Sequence, residues 1–151
     1  MRKILVKFLA IFASIFVIDQ AIKWAYVQGY GHYDGEYFSL ILTYNKGVAF
    51  SMFAFLDENL KLIQVALLAI ALLYLVRERE ILHSHTSAVA IIFGAGCSNV
   101  LDRFIHGGVV DYIFWHKWFE FAVFNFADVM INFGVALILW QSWRTKKVAK
   151  I

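Results

Sequence analysis

The sequence predicts an all-α integral membrane protein: four transmembrane helices, with a small β-strand element and an interfacial segment on the outer side, in a single membrane domain over residues 1–151. Three observations predict it. Of 151 residues, 62% are hydrophobic and only 17% charged, against roughly 45–50% and about 25% in soluble globular chains. A domain of this size cannot hide that excess from water by folding on itself. The apolar residues are also gathered into four long segments, and the basic residues cluster at the flanks of those segments. The 14 basic and 11 acidic residues leave a net charge of only +3, which argues against a nucleic-acid-binding domain. The lone Cys97 excludes a disulfide scaffold, and the apolar content excludes a disordered chain.

The first helix is expected at about 4–27. Residues 4–18 are apolar except for Lys7 and Ser14, and continuing through Asp19 and Lys23 supplies the length of a span, about 20 residues. Arg2 and Lys3 ahead of an apolar stretch also suit a secretory signal peptide, but no small-x-small cleavage site follows, so the segment reads as a retained helix. The first outer segment, about 28–59, contains the β-branched and aromatic run 38–44, which ends before Asn45-Lys46-Gly47 and suits a short strand or hairpin on the membrane surface. The second helix, about 60–76, is interrupted only by Lys61 and Gln64. The third, about 86–102, carries Gly94 and Gly96, which permit close helix packing. The second outer segment, about 103–125, includes the aromatic stretch 114–124 with Trp115 and Trp118, placed at headgroup depth. The fourth helix, about 126–143, has Asp128 and Asn132 near its start. Nine Lys and Arg residues (Arg2, Lys3, Lys7, Arg77, Arg79, Arg144, Lys146, Lys147, Lys150) flank one side, and three flank the other, or five if Lys23 and Lys61 are counted. The positive-inside rule therefore expects both termini and the loop 77–85 in the cytoplasm.

Ionisable groups near lipid are costly and mark function by default. Here they gather at the outer ends of helices one, three and four. Asp19 and Lys23 stand four apart on one helix face in the favourable order for a pair, which on bland grounds is a helix-end ion pair with Lys23 snorkelling to the interface. Asn99, Asp102 and Arg103 line one face of the third helix, and the bland alternative sends Arg103 to lipid phosphate and Asp102 to local backbone. Asn125 and Asp128, three apart, suit a helix cap. Asp111, inside Val109-Val110-Asp111-Tyr112-Ile113, has no capping rationale. Two carboxylates on segments returning to the same interface are raw material for acid–base chemistry, because neighbouring like charges resist ionising together. Two other functions fit polar residues in a bundle: a small carrier or proton-coupled channel, although no broken helix pair or inverted repeat is present, and a structural subunit.

Five blocks in order match a known pattern: Asp19-Gln20-Ala21-Ile22-Lys23, Asn45-Lys46-Gly47-Val48-Ala49-Phe50, Gly94 through Asn99-Val100-Leu101-Asp102-Arg103, Val109-Val110-Asp111-Tyr112-Ile113, and Phe124-Asn125-Phe126-Ala127-Asp128. The chain resembles the bacterial lipoprotein signal peptidases, or signal peptidase II. The resemblance implies an aspartic endopeptidase of the inner membrane, with its site at the periplasmic face, that removes the signal peptide of diacylglyceryl-modified prolipoproteins ahead of the lipidated cysteine. It implies Asp111 and Asp128 as the catalytic dyad, and Asp19, Lys23, Asn45, Gly47, Asn99, Asp102, Arg103 and Asn125 as the surrounding polar shell. It also implies a lid formed by the 45–50 loop and the outer strand, contact with membrane lipids, and binding of substrate-mimicking lipopeptides such as globomycin. No metal, cofactor or nucleic acid is expected. Two residues depart from the pattern: Ser98, where glycine is usual, and Ala122, where proline is usual.

Overall fold

A computed structural model describes residues 2–47, 56 and 58–148. The described chain forms α1 (Arg2–Val27), β1 (Tyr33–Asp34), β2 (Phe38–Asn45), α2 (Glu58–Arg77), α3 (Arg79–His106), β3 (Val109–Trp115) and α4 (Phe126–Val148). All four helices are long and apolar enough to cross a membrane. Leu73 and Leu139 stand 69% and 65% exposed on the helix surfaces. Side chains of that size presented on helix after helix make lipid the natural solvent.

α3 is the central helix, packed against the other three, and half of its apolar window is buried, against 6–11% for the others. The contact with α1 depends on Gly94. A Cβ at that position would stand 2.7 Å from the carbonyl oxygen of Phe12 and 3.2 Å from the Ile15 Cβ. The close approach anticipated from the small residues is thus real at Gly94, whereas Gly96 meets only Leu68 at an ordinary 3.4 Å. Gly94→Ala is expected to push α1 from α3 and cost about 1–3 kcal/mol, read as a lowered Tm in detergent. An unchanged Tm would show that the two backbones can separate freely.

The expected cytoplasmic loop 77–85 is not a loop. Glu78 alone separates α2 from α3, and the reversal is completed by non-helical dihedrals at His85 (φ −124°, ψ 24°) inside α3. The residues from Arg79 to His85 break the apolar run but contain neither Gly nor Pro, so they remain competent to form helix.

At the opposite end the strands form an antiparallel sheet in the order β1-β2-β3. The strand expected near 38–44 is β2. Its partner β3 went unread, because its residues do not alternate apolar with polar and 109–112 lie buried rather than half-exposed. Gly107 makes the α3–β3 reversal possible: it caps α3 at φ 71°, in the left-handed region. Val48, Ala49 and Phe50, the outer half of the expected lid, lie outside the described residues.

Candidate active site

Asp111 arrives on the sheet and Asp128 on the first turn of a helix, and main-chain pairing brings them together. Along β2 and β3, Thr43 lies opposite Asp111 and Asn45 opposite Val109, so Asn45 is the diagonal neighbour of Asp111. Asn45 Nδ2 donates to Asp111 Oδ2 at 3.0 Å, while its Oδ1 accepts from the Gly47 N–H at 3.0 Å. On the other side of β3, Phe124 and Ile113 exchange backbone hydrogen bonds of 3.0 and 2.8 Å. That bridge fixes the chain one residue before Asn125 and starts α4 beside Asp111.

Asn125 then joins the two carboxylates. Its Oδ1 accepts from the Asp128 N–H at 2.9 Å and Asp128 Oδ2 accepts from the Asn125 N–H at 3.1 Å, a reciprocal helix cap. The Asn125 Nδ2 meanwhile donates to Asp111 Oδ1 at 2.7 Å. Asn99 Nδ2 donates to Asp128 Oδ1 at 2.9 Å. Each aspartate is therefore oriented by two neutral N–H donors, and among the described residues neither forms an ion pair. Both line one cavity of about 430 Å³ with Asn45, Gly47, Asn99 and Arg103. Asp111 is buried and Asp128 half-buried.

Behind the dyad lies a second, charged layer. Lys23 is 2% exposed and its Nζ stands 2.7 Å from Asp19, 2.7 Å from Asp102 and 2.6 Å from Asn99 Oδ1. The ion pair expected from spacing is present, but Lys23 does not snorkel: all three of its donors are engaged inward, which outweighs the hydration it gives up. The two carboxylates it holds are anchors for the main chain. Asp19 Oδ1 accepts from the N–H of Ala127 at 2.9 Å, and Asp102 Oδ2 from that of Val110 at 3.1 Å. Each anchored residue immediately precedes a dyad aspartate. Arg103, 5% exposed, does not reach for lipid phosphate; its guanidinium donates to the carbonyls of Asn45 and Lys46 at 3.3 Å and to that of Gly47. It thereby holds the Asn45 turn against α3.

Charge closes on itself in this layer. Asp19 and Asp102 are ion-paired to Lys23 and Arg103 is bonded to main-chain carbonyls, so that among the described residues neither Asp111 nor Asp128 has an ion pair of its own. Burial, reinforced by the neighbouring Asp128 charge, pushes Asp111 from 3.8 up to about 7, against the opposing effects of its amide donors and Lys23. A carboxyl raised in the folded state holds its proton more tightly there than in the unfolded chain. Its contribution therefore favours folding at low pH and is lost as pH rises from about 4 to about 7. Relative to Asp111→Asn, which has no proton to lose, the wild-type protein is expected to lose Tm across that interval. Parallel Tm–pH profiles for the two proteins would contradict a raised Asp111.

The ten residues singled out from sequence thus all meet in one cluster: Asp111 and Asp128 on the cavity, Asn45, Gly47, Asn99 and Asn125 beside them, and Asp19, Lys23, Asp102 and Arg103 in support. Three further participants were missed. Gln20 Nε2 donates to Asp102 Oδ1 at 2.8 Å and to Ser98 Oγ at 2.9 Å, and Ser98 Oγ donates to Asp19 Oδ2 at 2.6 Å. Ser98 is therefore a working member of the network. Tyr112 Oη accepts from the Phe126 N–H at 3.0 Å and its ring stacks on Tyr26 at 4.3 Å. For Gln20 and Ser98 the signal was available: an uncharged polar side chain inside a span needs a partner as much as a charge does. Ala122 lines the cavity.

A carboxylate pair on a cavity at one end of a four-helix membrane bundle defines a class of multi-pass membrane protein built for chemistry at that depth. Residues 11–144 match the family described as signal peptidase (SPase) II, and the chain belongs to that family. It is accordingly a membrane protease. Lipoprotein signal peptidases of Wolinella succinogenes (52% identical, covering 97% of this chain and 100% of the relative), Helicobacter pylori (46%; 97% and 92%) and Campylobacter jejuni (50%; 92% and 88%) are among its similar relatives. Two solved structures, each described as a bacterial membrane enzyme, share the fold: TM-score 0.77 at 21% identity over 92% of this chain and 88% of that one, and 0.72 at 23% over 87% and 89%.

Proposed function

We propose that this chain is an aspartic endopeptidase that removes the signal peptide of diacylglyceryl-modified prolipoproteins, cutting on the N-terminal side of the lipidated cysteine. The observation that carries the reading is the pair Asp111 and Asp128, bridged by Asn125 on a shared cavity, with no cation bonded to either among the described residues. Family membership supplies the peptide substrate class, and the names of the relatives supply the lipoprotein.

The mechanism follows from the charge layout. At neutral pH the pair holds one proton between its members. The ionised aspartate takes a proton from a water seated between the two and turns it into a nucleophile. The protonated partner polarises the scissile carbonyl and then passes its proton towards the leaving amine. Because the pair titrates jointly, the resting proton belongs to the dyad rather than to one residue. Above about pH 7 the proton of the dyad is lost and turnover falls. Asn45, fixed by its Gly47 turn and the Arg103 clamp, lies within reach of the peptide, and the acyl chains of the substrate remain in lipid.

The basic flanks place both termini in the cytoplasm and the dyad at the periplasmic face of the inner membrane. Lipopeptides that imitate the substrate, globomycin among them, compete for the cavity. The test is direct: purified protein in detergent is incubated with a diacylglyceryl prolipoprotein and with its unlipidated form. A shortened band from the lipidated substrate is expected; an intact precursor after prolonged incubation would overturn the proposal.

A further inference from the structure

A signal peptide crosses the membrane as a helix, and a helix shields its own peptide bonds from a carboxylate pair. Cleavage therefore demands that the chain unwind next to the cavity, partly below the level of the headgroups. Backbone groups freed there have no water to turn to, so the enzyme has to supply their partners. On the outer side Asn45 and Asn125 are at hand. On the membrane side the cavity is lined by Gln64 of α2 and Asn132 of α4. Asn132 is committed, its Nδ2 donating to the Asp128 carbonyl at 2.9 Å. The Gln64 Oε1 is not: it is buried and has no hydrogen-bond partner among the described residues.

An amide within a membrane span is unfavourable, and one with an unsatisfied buried oxygen is more so. Leucine or isoleucine, which together supply nine of the 20 residues of α2, would serve a purely lipid-facing or packing role better. Gln64 also lies outside the five motif blocks, and among the described residues no bond in the dyad or its supporting layer uses it. Its placement on the cavity of Asp111 and Asp128 gives the amide a purpose.

We propose that Gln64 binds the substrate main chain: its amide oxygen accepts a backbone N–H of the unwound signal-peptide segment on the membrane side of the scissile bond. Binding requires the outer torsions of the side chain to turn so that the buried oxygen faces the cavity Gln64 lines. The proposal rests on reading Asp111 and Asp128 as a peptide-cleaving dyad, and makes Gln64 a determinant of how deeply the substrate must unwind.

The test uses the full-length protein in detergent and a lipidated substrate peptide carrying a single N-methyl group at each successive position before the scissile bond. Gln64→Leu is expected to lower kcat/KM by about tenfold, the loss of one hydrogen bond to a buried acceptor. At one position N-methylation should slow the wild-type enzyme by a similar factor and leave Gln64→Leu no slower than it already was. If the two effects multiply at every position, or if Gln64→Leu matches wild type on the unmodified peptide, the proposal fails. Should Gln64→Leu have a depressed Tm, Gln64→Met, closer in shape, carries the same comparison. Wild-type cleavage of the unmodified peptide serves as the internal reference, since its absence would condemn the dyad reading rather than Gln64.

Discussion

Asp111→Asn and Asp128→Asn are each expected to reduce cleavage of a diacylglyceryl prolipoprotein by at least about a thousandfold, within the range that general acid–base groups contribute. The two carboxylates divide one task. One needs a lone pair free to accept a proton from water, the other needs a proton to give, and an amide does neither. The double variant should be no worse than either single one, because groups acting as a unit are not additive. The fold should survive, for asparagine keeps the shape of the side chain and one of the two acceptor oxygens that now serve Asn45 and Asn125 at Asp111, and Asn99 and the Asn125 N–H at Asp128. Gel-filtration behaviour and Tm in detergent verify that folding. Turnover near the wild-type rate by either folded variant would sink the assignment of that residue.

Lys23→Met should be the most destabilising single substitution in the molecule. It removes the partner of two buried carboxylates at once, Asp19 at 0% and Asp102 at 1% exposure. Breaking one buried ion pair by deleting one member costs about 3–5 kcal/mol, most of it the uncompensated charge left behind. Here two such charges remain, and both hold the backbone immediately ahead of a dyad aspartate. Unfolding monitored in mixed micelles at rising SDS fraction measures the loss. Combining Lys23→Met with Asp19→Asn and Asp102→Asn should recover part of it, since no charge is then stranded. A single variant within about 1 kcal/mol of wild type would mean that the cluster is hydrated and that Lys23 does not organise it.

The spans were legible because lipid imposes a composition that few other environments tolerate: the apolar runs around Ile4–Ile18, Leu60–Val76 and residues 133–140 of α4 announce themselves. Asp19 and Lys23 were legible as a pair from spacing alone, yet their setting was misread. Spacing reports which side chains share a helix face, whereas burial depends on which helix covers that face, and here Asp102 and Asn99 of α3 cover it. Asp111 illustrates the same limit. Its sequence neighbours say only that it is apolar-flanked; the strand pairing that sets Asn45 diagonally across from it, and the Phe124 bridge that starts α4 next to it, bring up Asn45 and Asn125, partners 66 and 14 residues away along the chain. Ser98, a departure from pattern in sequence, proves to be a buried link between α1 and α3.

By itself the sequence determined the solvent, the number of spans and the inventory of polar groups that must find one another, because hydropathy and helix periodicity are properties of neighbouring residues. The tertiary structure alone decided the division of labour within that inventory. Six acidic and basic side chains meet in one volume, and Lys23 and Arg103 are spent on Asp19, Asp102 and the Asn45 turn. Asp111 and Asp128 are left to face each other through Asn125. Which carboxylate finds a cation and which finds only another carboxylate is a matter of a few ångströms between distant segments, a distance that local sequence does not encode.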